Sequence, residues 1–211
     1  MSYRVVCFSG PDGTHMREIA ARVAEQLGFT LVDEEIITRA AGEAGVDPHV
    51  VADVEKRQTF MARLLDALSS SSDATGQAFS GGMSVYSPAD VPMTEDLRGL
   101  IRAAIEETSA RGDVVIVSHA ASHALAANTE ALRVLVTASR ETRTARLVES
   151  YGISEADATH TVDEADAARA DYLKRFYGIK HELPTQYDVV VNTDRMGTDD
   201  AVAVVVRAAG R

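Results

Sequence analysis

"SGPDGTHMREIA", residues 9–20, follows the apolar run "YRVVCF" and leads into a helical pattern. Strand, glycine-containing loop and helix, in that order, make a ready anion site. Loop N–H groups converge on the anion, and the helix N-terminus adds positive partial charge. The full signature of such a phosphate loop is GxxxxGK[ST]. Gly10 fits the first position; His15 stands at the second glycine, Met16 at the lysine and Arg17 at the Ser/Thr. Gly10 and Gly13 still permit the tight turn. The residues alone leave two readings, a phosphate loop without its lysine or an ordinary strand–helix turn with two glycines.

Working outward, Ile19, Ala20, Val23, Ala24 and Leu27 recur at helical spacing, and Gly28 ends that helix. "FTLVD" is a second strand and "IITRAAGEAG" a short helix. A longer helix starts at Asp47 or Pro48, with Val50, Val51, Val54, Met61, Leu64, Leu65 and Leu68 on one face. Residues 69–93 are rich in Ser, Gly and Pro and read as a long flexible loop. Thr94 caps the next helix, which Gly112 closes. "DVVIVS" and "LRVLVT" are near-continuous apolar runs, as strands covered on both faces require. Helices follow at 140–149 and 154–176, then the strand "YDVVVN" and the helix "TDDAVAVVVRAA". Strands alternating with helices predict a single α/β domain over 1–211, a doubly wound parallel sheet of about five strands. Ligands of such sheets bind at the carboxyl ends of the strands, where the 9–18 loop falls.

Composition bounds the function. Of 211 residues, 45% are hydrophobic and 25% charged, ordinary for a globular chain. The net charge of −11 argues against nucleic-acid polymers and anionic membranes as partners. Eighteen of the cations are Arg and three are Lys; coding bias accounts for such a ratio, as does a phosphate grip by guanidinium forks, and composition alone does not separate the two. Cys7 lies in a buried strand pattern and is expected to be an inert thiol. No apolar run reaches the ~18–20 residues of a membrane span, and no leader pattern precedes the first strand, so a cytoplasmic location is expected.

Three stretches resemble the cytidylate kinase-like family, within the nucleoside monophosphate kinase group of P-loop proteins. They are "SGPDGTHMREIAARVAEQLGFTLVDEEII", "LRVLVTASRETRTARLVESYGISEADATHTVDEADAARADYLKRFYG" and "YDVVVNTDRMGTDDAV". Their order and spacing carry the resemblance more than any one of them. It implies ATP as phosphoryl donor, Mg²⁺, and CMP, dCMP or a similar acceptor. It also implies a helical lid over about 154–180. Gly10, Pro11, Asp12, Gly13, Thr14, His15 and Met16 would form the nucleotide loop, with Arg143 and Arg195 beside the nucleotide. Arg17, as replacement for the lysine, with Arg146 and Arg169 would be the catalytic cations. Asp33, Arg39 and Arg175 would bind the acceptor, since "DEEIITR" keeps the family's Asp-to-Arg spacing of six. For each arginine the alternative is a solvated helix face with local ion pairs.

The chain departs from the family after its third strand, where "VSHAASH" offers Ser118 and His119 in place of a Gly-Arg pair. His119 and His123 lie four apart, but a zinc site would need a third ligand, and none is expected. Three functions follow: a kinase with an altered loop, a nucleotide-binding pseudo-kinase, or an interaction module using 69–93 as its arm. The implied partners are nucleotides, with a homodimer among the open assemblies.

Overall fold

The computed structural model describes residues 3–33, 94–117 and 120–210, with side chains in the second stretch from residue 98. The predicted helices between 36 and 68, the 69–93 loop, Arg39, Ser118 and His119 lie outside the described residues. Five parallel strands are described: β1 (Val5–Ser9), β2 (Thr30–Val32), β3 (Val114–Val117), β4 (Ala131–Thr137) and β5 (Val189–Asn192). Their order is β2-β3-β1-β4-β5, so β1 is central. The helices are α1 (Met16–Leu27), α2 (Thr94–Arg111), the single turn α3 (Ala121–Ala124), α4 (Arg140–Tyr151), α5 (Glu155–Tyr177) and α6 (Thr198–Ala208).

The apolar runs become strands because both faces are covered. Along β1 every residue is buried, and alternate side chains enter different layers. Val5 and Cys7 pack with Ile101, Ile105, Leu125, Leu173 and Phe176 on one side. Val6 and Phe8 pack with Ile19, Val23, Val202 and Val205 on the other. Burial pushes the Cys7 thiol up to about 12, which makes it the inert core thiol expected. Register places Phe8 level with Val117 on β3 and Val134 on β4. The residues after Ser9 therefore emerge at the carboxyl edge between two neighbours, as the strand–helix alternation predicts.

The helix predicted over 154–176 is α5, capped by Ser154, whose Oγ accepts from the Asp157 N–H at 3.1 Å. Its first half buries Ala158 and Val162 against Leu147 of α4. Its second half buries Tyr172, Leu173 and Phe176 in the sheet's core layer. The helix thus joins α4 to the core beneath the carboxyl edge of β1. No described helix is long and apolar enough to cross a membrane.

Candidate functional site

The loop of residues 10–15 is shaped by close backbone approaches. A Cβ on Gly10 would collide with the Val136 carbonyl oxygen of β4. Gly13 has φ +80°, and a Cβ there would stand 2.9 Å from the Arg143 Cβ and 3.2 Å from its Cα. His15, in the second glycine's place, takes φ 59° and so keeps the left-handed turn that glycine adopts most readily. The Thr14 hydroxyl donates to the Pro11 carbonyl at 2.8 Å and closes the loop on itself. α1 starts directly afterwards, so its unpaired N–H groups open on the loop.

Met16 faces inward. It is buried in the layer formed by α1, β1 and α6, and supplies no charge. Arg17, the next residue, forms an ion pair with Asp33 just past the end of β2. Three other arginines reach the loop from α4 and α5. Arg146 donates to the Gly13 carbonyl at 2.9 Å, to Thr193 Oγ1 at 3.0 Å and to the Thr193 carbonyl at 2.6 Å. It braces the loop against the turn after β5. Arg143, side chain 5% exposed, forks onto Asp166 of α5 at 2.9 and 2.8 Å, while its Nε is buried without a hydrogen bond. Burial pushes the Asp166 carboxyl above the usual range, against the pull of Arg143.

Arg169 occupies the third position. Its Nε donates to Glu182 Oε2 at 3.0 Å and its Nη2 to Glu182 Oε1 at 2.6 Å and Ser9 Oγ at 2.7 Å. The Tyr187 hydroxyl donates to Glu182 Oε1. With that proton engaged, the Tyr187 oxygen accepts from His123 Nε2, 3.2 Å away. Burial holds His123 below its usual pKa, in keeping with a neutral ring that donates through Nε2. Burial also disfavours the Glu182 carboxylate, but Arg169 and then Tyr187 outweigh it and keep its pKa below the ordinary value. Burial and the Glu182 charge together push the Tyr187 phenol upward.

Two cavities flank the loop. One of about 410 Å³ lies between residues 11–18 and the Arg146–Tyr151 face of α4. The other, about 250 Å³, is lined by Pro11, Arg143, Asp166, Arg169, Lys180 and Glu182. Both sit at the carboxyl end of β1, where doubly wound sheets take their ligands.

A profile of the cytidylate kinase-like family matches residues 5–195, from the first strand to the turn after the last. The chain belongs to that family. Among solved structures it is similar to an uncharacterized protein from Eubacterium ventriosum, at 15% identity, 98% coverage of both chains and TM-score 0.64. Shikimate kinase from Bacteroides thetaiotaomicron is similar at 13% identity, 98% coverage of both chains and TM-score 0.51. A sugar kinase from Janibacter matches at 14% identity, covering 97% of this chain and 93% of its own, with TM-score 0.51. At these identities the likeness is one of fold, the P-loop kinase fold. No curated protein matches the chain significantly.

Within this kinase-like frame, the structure brings Gly10–Met16, Arg143, Arg146 and Arg169 to one place. Arg17 and Asp33 stand together beside α1, and Arg17 lines the larger cavity. Arg175 instead pairs with Asp171 on its own helix at 2.7 Å and stacks over Phe176. Arg195 lies exposed on the turn after β5. Asp166 and Asp171, the acids nearest Arg169 in sequence, pair instead with Arg143 and Arg175. Sequence reasoning missed Ser9, Glu182, Tyr187 and Thr193. Glu182 and Tyr187 flank a Pro184–Gln186 turn without periodicity, and the one available signal was an acid and an aromatic beside a proline.

Proposed function

We propose that the chain binds ATP at the Gly10–Met16 loop and transfers its γ-phosphoryl group, at a reduced rate, to a nucleoside monophosphate such as CMP or dCMP. One observation carries this reading. The loop joins β1 to α1 with close backbone approaches at Gly10 and Gly13, Arg146 donates to its Gly13 carbonyl, and Arg143 and Arg169 share a cavity with its Pro11. Phosphoryl transfer asks the protein mainly for positioning and charge cancellation. Arg146 holds the cradle in shape, while Arg143 and Arg169 bring positive charge to the smaller cavity.

Mg²⁺ would enter with the nucleotide. The position whose hydroxyl meets the metal in the full signature is Arg17, so the loop offers no oxygen there. Asp33 near α1 is held by Arg17, and Asp12 and Glu18 line the larger cavity. No group of three or more His, Cys, Asp or Glu side chains able to hold a metal occurs among the described residues. That donor set suits an ion coordinated mainly by phosphates and water with one or two carboxylates. The ion would neutralise charge between the phosphates.

The burial of Met16 favours a second reading, a nucleotide-binding protein without turnover. Calorimetric titration of ATP, CMP and dCMP, with a coupled assay of ADP release, separates the two. ATP binding with slow, CMP-dependent ADP release supports the kinase. Binding without release supports the pseudo-kinase, and no binding of any nucleotide leaves an interaction module. Arg39→Ala is expected to weaken CMP by one charge-assisted contact, roughly 1.5–3 kcal/mol, while leaving ATP unchanged.

A further inference from the structure

We propose that Glu182 is a positioning residue. It fixes the plane of the Arg169 guanidinium beside the Ser9–Gly13 loop, so that the Nη1 end of the fork meets the phosphate chain of a nucleotide. This rests on the reading of the loop as a nucleotide-phosphate site.

The guanidinium carries five N–H donors in a rigid plane. Glu182 takes Nε and one Nη2 hydrogen through its two oxygens, and Ser9 Oγ takes the other Nη2 hydrogen. These bonds use three of the five donors, and the two Nη1 hydrogens are the remaining ones. Arg169 lines the smaller cavity together with Pro11 of the loop and Arg143. Glu182 is itself held by Tyr187, and Tyr187 by His123. Ser9, the last residue before the loop, thus sits within a chain of five polar side chains from four different segments.

A brace between α5 and the strand edge would not need this arrangement. The Arg169 and Glu182 side chains are 24% and 18% exposed, so pairing them costs desolvation that apolar residues would avoid. A two-oxygen grip sets the orientation of a guanidinium as well as its place. Glu182 also adds negative charge beside a site meant for anions. Its contribution is therefore geometric, and that separates the proposal from simple electrostatics.

The test measures ATP and inorganic tripolyphosphate affinity by calorimetry, and the unfolding midpoint, for wild type and variants. Glu182→Gln removes a negative charge, so electrostatics alone predicts tighter ATP. Positioning predicts ATP and tripolyphosphate weaker by about tenfold, the loss of one charge-assisted contact. Arg169→Lys keeps the charge pair with Glu182 but lacks the fork, and is expected to show a similar fall. The double variant is expected to fall no further than either single one. Unchanged or tighter ATP in folded Glu182→Gln, with a wild type that binds, overturns the positioning role alone. A wild type that binds neither probe overturns this proposal together with the nucleotide reading of the loop. Should Glu182→Gln not fold, Tyr187→Phe removes only the hydroxyl that holds Glu182. A fall of about threefold then supports the proposal, and no change overturns it.

Discussion

Gly13→Ala isolates the contact on which the loop depends. Gly13 sits at φ +80°, where an alanine costs about 1–2 kcal/mol in backbone strain. The new Cβ would also stand 2.9 Å from the Arg143 Cβ and 3.2 Å from the Leu147 Cδ1. Arg143 cannot swing aside cheaply, because it is buried and forked onto Asp166. Overpacking against such a neighbour adds about 1–3 kcal/mol. The sum is roughly 2–5 kcal/mol, or a fall in Tm of about 4–20 °C for a chain of this size. Gly28→Ala provides the internal control. Gly28 caps α1 at φ +70°, but nothing lies within 4 Å of the space its Cβ would fill. It therefore bears the backbone cost alone, about 1–2 kcal/mol. Thermal unfolding of both variants, followed by circular dichroism, gives the difference directly. ATP affinity is expected to drop in Gly13→Ala and to hold in Gly28→Ala. Equal Tm values for the two variants would refute the close approach of loop and α4.

Two further outcomes are expected. Met16→Lys places an amine where the structure has a buried thioether, so the unfolding midpoint falls while ADP release with CMP rises by about tenfold or more; an unchanged rate means that the arginines already supply the charge. The Asp188 carboxyl, held by Arg133 at 2.7 and 3.0 Å, has a pKa below the usual carboxylate value. A carboxyl depressed by folding stabilises the protein above its unfolded pKa of about 3.9, and that stability is lost as pH falls below it. Asp188→Asn should flatten the stability profile between roughly pH 5 and 2, measured by urea unfolding; an unaltered acid limb would show that the pair contributes nothing to folding.

Much of the fold was legible in local pattern. β1, β3 and β4 were readable as continuous apolar runs because both faces of a parallel strand are buried, and β5 as a short apolar run near the end of the chain. α1 was readable from its period and its closing Gly28, and α4 as a helical stretch over 140–149, whose Ser139 cap the structure adds. The position of the loop at the carboxyl edge of β1 followed from the strand–helix alternation. The family was legible in the order of three stretches, none decisive alone. The helix over 154–176 was read as such, but the packing of Tyr172, Leu173 and Phe176 into the core was not legible, because they fall within a charged segment.

Partnership was a different matter. Arg17, Arg143, Arg146, Arg169 and Arg175 look alike in sequence, each an arginine in a helical pattern with an acid within four residues. In space they separate. Arg175 keeps a partner four residues away, Arg143 reaches 23 residues to Asp166, and Arg146 reaches 133 residues to the Gly13 carbonyl. Met16 likewise reads as a missing lysine in the sequence, and as a packed core residue in space. Periodicity and turn chemistry act over a few residues, so the amino-acid order determined the strands, the helices and the loop between β1 and α1. Which cation meets which carboxylate depends on how strands distant in sequence lie side by side, and only the folded sheet brings Ser9, His123, Arg169, Glu182 and Tyr187 to one point.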